Sequence, residues 1–223
     1  MSTNITRQLK SKNRVADHGE VFTAEREVNA MLDLVKQETE RIDSRFLEPA
    51  CGTGNFLVEV LRRKLAVVDK NYKKSQLDYE RYAVLAVSSL YGIDLLEDNV
   101  HECRQRLFAI FEQNYAIRFK EKCLDECKNS VKYILGNNIL QGDALTLQSG
   151  NQPIVFPEWS FVKGSMLKRR DYTFHVLLEK SGIDDIPLFS DENDPAFIPE
   201  PIKEYPPIHF LKLGQYARYT IQS

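Results

Sequence analysis

The run Phe46 to Leu61, F-L-E-P-A-C-G-T-G-N-F-L-V-E-V-L, constrains this chain more than any other stretch. A short apolar run ends on an acidic residue, Glu48. A glycine-bearing turn follows, Ala50-Cys51-Gly52-Thr53-Gly54, and Phe56, Leu57, Val60 and Leu61 then recur at helical spacing. Strand, tight turn and helix are the means by which an α/β sheet presents backbone N–H groups to a ligand. Glycine lets the ligand approach the backbone, and the helix N-terminus favours negative charge. The string is not G-x-G-x-x-G, because Leu57 stands where the third glycine would be. The acidic residue expected about 20 positions further on at a nicotinamide site is also missing. A glycine turn taken alone is equally compatible with a plain connector.

Composition bounds the remaining choices. A 223-residue chain with 43% hydrophobic and 28% charged residues can bury a core and is not wholly disordered. A formal net charge of −2 is unusual for a protein that grips DNA unaided, where a basic patch is expected, and it either weakens a DNA reading or moves DNA binding to another chain. No apolar run reaches the length of a membrane span and the polar N-terminus is not a signal peptide, so the expected location is cytoplasmic, with no membrane partner. Cys51, Cys103, Cys123 and Cys127 lack zinc-like spacing and read as free thiols, so no metal ligand is assigned.

Taken in order, residues 1–18 read as a polar arm, 19–182 as one folded domain and 183–223 as a proline-rich acidic tail with a short C-terminal helix. Thr23 reads as the N-cap of an amphipathic helix bearing Val28, Met31, Leu32 and Val35. Two helices are expected between Arg62 and Ser89, beyond the helix of the glycine turn. Leu90-Tyr91-Gly92-Ile93-Asp94 reads as a strand, with a helix from Leu96 to about Tyr115 and a polar, cysteine-bearing connection after it. Asp94, at the C-terminal end of a parallel strand, either caps the following helix or accepts hydrogen bonds from a ligand's hydroxyls. Asn138 to Leu145 reads as a third strand ending in Gly142-Asp143. Further on, Ile154-Val155-Phe156, Trp159 and Phe161 precede Lys168-Arg169-Arg170. These are either a core strand beside a solvated turn, or aromatics and cations suited to bases and phosphates. Phe174 to Leu178 reads as a fourth strand.

Glu48-Pro49-Ala50-Cys51-Gly52-Thr53-Gly54-Asn55-Phe56-Leu57 resembles motif I of the S-adenosylmethionine-dependent DNA adenine-N6 methyltransferases of restriction–modification systems. The resemblance implies a Rossmann-like α/β fold: a mainly parallel, incomplete sheet with helices on both faces. It implies S-adenosylmethionine as cofactor, held by Glu48, Pro49, Ala50, Cys51, Gly52, Gly54, Asn55 and Phe56. Phe22-Thr23 resembles the family's F-T-P motif near the methionine end of the cofactor, with Ala24 where the proline usually stands. Asp94 and Leu95 match motif II, whose carboxylate holds the ribose. Asp143 and Ala144 match motif III, whose carboxylate meets the adenine amine.

The family's catalytic element does not appear. It is an Asn or Asp followed by Pro-Pro and an aromatic residue, which orients and stacks a flipped adenine. The later Pro206-Pro207 follows Tyr205 and precedes Ile208. No catalytic residue is therefore assigned, and the resemblance covers roughly Val15 to Leu178. The expected protein is the cofactor-binding subunit of an adenine-N6 DNA methyltransferase, reaching DNA within a complex whose second polypeptide supplies catalysis and sequence specificity. Two rivals stand beside it: a methyltransferase on another substrate using His175 or Glu179, and an inactive cofactor-binding regulatory subunit.

Overall fold

β2 (Leu90–Asp94) is the middle strand of a three-stranded parallel sheet in a computed structural model that describes residues 23–180 and 200–218. It is flanked by β1 (Phe46–Glu48) and β3 (Ile139–Gln141), with Phe46 opposite Leu90 and Gly92 opposite Ile139. Four of the five β2 residues are buried, the continuous burial expected of a strand covered on both faces.

The helices form because their apolar residues recur every three or four positions. α1 (Glu25–Leu34) and the single turn α2 (Lys36–Thr39) precede β1. α3 (Asn55–Tyr72) buries Leu57, Val58, Leu61, Leu65 and Val68. The Ser75 side chain accepts the Asp78 N–H at 3.3 Å to cap α4 (Gln76–Ser88). α5 (Glu97–Phe119) buries Val100, Cys103, Leu107, Phe111 and Tyr115 along one stripe. The Ile139 carbonyl after α6 (Asp125–Asn138) accepts from Arg104 Nε at 2.9 Å, and Gly136 accepts from Arg104 Nη2 at 3.2 Å.

Several expectations change here. The glycine-turn helix runs unbroken to Tyr72, so one further helix, not two, lies before β2. The cysteine-bearing connection is the helix α6, with Cys127, Val131, Ile134 and Leu135 buried on one face. Thr23 stands just before the cap. Ala24 occupies the cap position, and its N–H donates to Glu27 Oε2 at 3.1 Å.

The segment after β3 builds a second, antiparallel layer. Short β4 (Gln148–Ser149) and β5 (Gln152–Pro153) pair with each other. A long hairpin follows, β6 (Val155–Lys163) and β7 (Met166–Thr173). Lys168-Arg169-Arg170 therefore lies on a strand, not a turn. Arg169 pairs with Asp171 at 2.6 Å, and Lys168 and Arg170 both reach Glu204. Trp159 is buried, and its Nε1 donates to Asn138 at 2.8 Å.

Phe174 to Leu178 is not a fourth strand. It lies in the helix α7 (Phe174–Lys180), whose Phe174 and Leu177 join the apolar cluster of Tyr91, Ile93, Ile154 and Phe156. A five-residue, mostly apolar run fits either period, and packing chose the helical one. The sheet is also not flanked evenly by helices. Leu90 packs with the core of α3 to α6, whereas the opposite side of β2, Tyr91 and Ile93, meets Ile154, Phe156 and Phe174 of the hairpin side.

In the proline-rich stretch, β8 (Lys203–Glu204) and β9 (Ile208–His209) pair with β7, and the 3-10 segment Phe210–Arg218 buries Phe210 and Leu213. Residues 200–218 thus pack on the body of the protein. The polar arm 1–18 and residues 183–199 lie outside the described residues.

One buried cation ties this architecture together. Lys64 Nζ, on α3 and wholly buried, donates to Ile42 O at 3.1 Å, to Ser89 Oγ at 2.6 Å and to Ser44 O. It joins the approaches to β1 and β2. Burial lowers its ammonium from 10.5 to about 7. The unfolded chain therefore holds this proton up to higher pH than the folded one, so stability rises as pH climbs from about 7 towards 10.5 and is lowest below 7. Urea midpoints measured from pH 6 to 8.5 are expected to rise for the native protein and to flatten in Lys64→Met. The same variant should lose about 1–3 kcal/mol for each carbonyl left unpaired. An unchanged slope in Lys64→Met would remove Lys64 as its cause.

Candidate functional site

The three parallel strands end at one edge, and each is followed by a sequence-nominated residue. After β1, the Cys51 N–H donates to Ile93 O at 2.8 Å, which carries the turn across the end of β2. Gly52 and Gly54 have φ of 51° and 86°, the left-handed region that glycine occupies without strain. α3 starts directly from Gly54, and the Val58 N–H donates to Gly54 O at 2.8 Å.

Asp94 is the hub of this edge. Its Oδ2 accepts the Gly52 N–H at 2.8 Å, and its Oδ1 accepts from Leu96 N at 2.9 Å and Asn99 Nδ2 at 3.2 Å. Asp94 thus ties the glycine turn to the start of α5 with the same carboxylate, although Leu96 stands at the cap position of that helix and no side chain caps it. Three acceptor sites are in use, and a carboxylate offers about four. Leu95 beside it is an exposed apolar side chain, 58% accessible.

A cavity of about 100 Å³ opens beside the turn, lined by Thr23, Glu48, Ala50, Cys51, Gly52, Thr53, Asn55 and Phe56. Burial pushes the Glu48 carboxyl above its ordinary range, and the Ala50 N–H offsets this in part. Cys51 is buried. Its hydrogen bond with Cys103 and then burial hold its thiol well above the ordinary range, which makes it inert as a nucleophile. Pro49 lies on the exposed side of the turn and does not line the cavity. Phe22 lies outside the described residues.

The third strand closes the edge. The Gly142 N–H donates to Asp94 O at 2.9 Å, so the turn after β3 begins beside Asp94. Asp143 Oδ1 accepts the Leu145 N–H at 2.8 Å, and Ala144 packs against the Ile93 cluster. Asp143, Ala144 and Leu95 stand at the same edge but do not line the small cavity.

Two residues escaped the sequence. Thr53 is buried within the turn. Arg106, three turns along α5 from Asp94, latches it: Nη1 donates to Thr53 O at 2.7 Å, Thr53 Oγ1 at 2.9 Å and Asn55 Oδ1 at 2.8 Å. Asn55 Nδ2 passes the connection on to Thr23 O at 3.2 Å. Arg106→Met is expected to loosen the turn and, if the turn binds the cofactor that the motif I resemblance implies, to weaken S-adenosylmethionine binding about tenfold, with Arg106→Lys recovering part of the loss. Calorimetry beside a denaturant midpoint separates this from general destabilisation. Equal affinity in Arg106→Met would make the latch structurally idle.

A glycine turn opening a helix, with carboxylates closing the neighbouring strands, places this chain among α/β domains, in which the C-terminal edge of the parallel sheet is the usual ligand edge. The comparisons give the class its family. A family model described as MmeI, DNA-methyltransferase domain, matches residues 22–153, more than half of the chain. The chain belongs to this restriction–modification type of DNA methyltransferase family, which implies a methyl donor of the S-adenosylmethionine type. No curated protein and no solved structure matches the chain significantly. Among the described residues no helix is long and apolar enough to cross a membrane, and no group of three or more His, Cys, Asp or Glu is placed to hold a metal ion.

Proposed function

We propose that this chain is the S-adenosylmethionine-binding subunit of an adenine-N6 DNA methyltransferase, acting with a polypeptide that carries the Asn-Pro-Pro-aromatic element and reads the DNA. The observation that carries the reading is the Asp94 carboxylate holding the Gly52 amide at the edge where Glu48 and Asp143 also lie.

The residues fit that cofactor. A backbone at positive φ lets the ligand approach at Gly52, and the cavity beside it is lined by Glu48, an acceptor suited to the ammonium of an amino acid. Asp94 keeps an acceptor site for a ribose hydroxyl while still anchoring the turn. Leu95 offers an exposed apolar surface for the adenine, and Asp143 can accept from its amine. Bound there, S-adenosylmethionine would supply an electrophilic methyl group. Thr23, Asn55 and Phe56 would wall its methionine end, and Pro49 with Ala50 would shape the outer side of the turn. Phe22 completes the sequence motif that adjoins Thr23.

Calorimetry of S-adenosylmethionine binding tests the assignment. Asp94→Ala and Asp143→Ala are each expected to cost about 1–3 kcal/mol, or roughly tenfold or more in dissociation constant. Asp94→Ala should also destabilise the turn, because three donors lose their acceptor, whereas Asp143→Ala should leave stability nearly unchanged. Native affinity in both folded variants would overturn the site.

A further inference from the structure

A second cavity, of about 290 Å³, opens at the opposite end of the parallel strands. Asp43 and Arg45 before β1 and Ser88 and Ser89 before β2 line it, placing it away from the glycine turn. Across from them stand Arg81, Tyr82 and Leu85 of α4 and Trp159, Ser160 and Phe161 of β6.

Its charges are not equally satisfied. Arg45 pairs with Glu158 at 2.7 Å, and Asp43 with Arg41 at 3.4 Å. Arg81 alone among the charged residues of the lining has no ion pair or hydrogen bond within the described residues. Aromatic rings cover its faces: the guanidinium carbon lies 5.3 Å from the Tyr82 ring centroid and 5.1 Å from that of Phe161. Stacking satisfies the face of a guanidinium and leaves its N–H edge without an acceptor. Nε is buried without a partner, and Arg81 lines the cavity. The Ser160 hydroxyl is likewise without a hydrogen bond among the described residues, whereas Ser88 and Ser89 already donate to Leu85 O and Ala86 O.

An unneutralised guanidinium beside a hydroxyl, in a concave space walled by aromatic rings, matches one ligand chemistry: an oxyanion carried on a flat, unsaturated body. We infer that this cavity is a binding site for an aromatic carboxylate or phosphate, separate from the methyl-donor edge. Arg81 Nη and Ser160 Oγ meet the oxyanion, and Tyr82, Trp159 and Phe161 meet the ring.

The protein carries its own reporter, because Trp159 is the single tryptophan of the chain and lines the cavity. The full chain is titrated with phenyl phosphate, benzoate, inorganic phosphate and phenol while Trp159 emission is followed. Saturable changes are expected with phenyl phosphate or benzoate, the tighter of the two identifying the oxyanion. Inorganic phosphate and phenol, each lacking half of the recognised chemistry, are expected to bind about tenfold more weakly or worse. Arg81→Met should weaken the aromatic oxyanions about tenfold or more. Ser160→Tyr, which fills the cavity while keeping Arg81, should abolish binding, and it decides the matter should Arg81→Met fail to fold by circular dichroism. No saturable change with any aromatic oxyanion overturns the inference. So does native affinity in a folded variant, or inorganic phosphate binding as tightly as phenyl phosphate.

Discussion

Purified alone, the chain is expected to bind S-adenosylmethionine yet methylate DNA only at background rate. Activity should appear when a polypeptide carrying Asn-Pro-Pro-aromatic is added, and vanish when that Asn is changed. In the proposed function the glycine turn, Asp94 and Asp143 hold the methyl donor, and no stretch of the sequence matches the Asn-Pro-Pro-aromatic element that orients a flipped adenine. Without them, transfer forfeits an orientation advantage that reaches about 7–11 kcal/mol in well-positioned reactions. The expected docking place is the outer edge of β1. That strand pairs only with β2 among the described residues, its Leu47 is 39% exposed, and it leads directly into the cavity at Glu48 and Ala50. An open strand edge invites pairing, and a partner strand there would end beside the turn. The assay is tritiated methyl transfer to mixed-sequence DNA by each polypeptide and by both together. Robust transfer by this chain alone would overturn the two-chain proposal. Donor binding with no transfer even in the complex would favour a regulatory subunit.

Much of this edge was legible in the sequence because its chemistry is local. Two glycines that need positive φ, and carboxylates placed at strand ends, announce themselves within a few residues. The reading of Asp94 left two roles open, and the carboxylate does not cap α5 but binds the Leu96 N–H and the Gly52 N–H, with an acceptor site to spare. Arg106 was not legible. An arginine on an amphipathic helix looks like part of a solvated face, and only the packing of α5 against α3 brings it to Thr53 and Asn55. Lys64 was hidden for the same reason. Nothing in the α3 pattern distinguishes a lysine that carbonyls surround from one that water surrounds.

The hairpin layer was the least legible part. Trp159 and Phe161 beside three cations supported two readings, and the partners these side chains find in the fold chose between them. Asn138 takes the Trp159 N–H, and Asp171 and Glu204 neutralise the cations. Phe174 to Leu178 misled for lack of length. Five residues, four of them apolar, carry no period, and the helical form puts Phe174 and Leu177 into the cluster that holds Tyr91 and Ile93. Fold class therefore came from local strings, and the layering mostly from contacts between segments well separated in sequence.

Gly54→Val is expected to abolish methyl-donor binding, and two independent costs act together. Gly54 sits at φ 86°, where a β-branched residue carries backbone strain of about 1–3 kcal/mol. A Cβ there would also lie 2.6 Å from Cys103 Sγ and 3.4 Å from Cys103 Cβ. Cys103 is fully buried, so it has little room to withdraw from the added Cβ. Overpacking of this kind adds about 1–3 kcal/mol. Together these terms predict an affinity loss of roughly a hundredfold or more, since about 1.4 kcal/mol corresponds to a factor of ten. Combining Gly54→Ala with Cys103→Ala separates the two costs. The double variant should recover the steric part and keep the backbone strain, so its affinity should lie between Gly54→Ala and the native protein. Calorimetry with S-adenosylmethionine reads the affinities, and circular dichroism with a urea midpoint verifies that each variant is folded. Native affinity in Gly54→Val would reduce the glycine turn to a connector and withdraw the cofactor site from this edge.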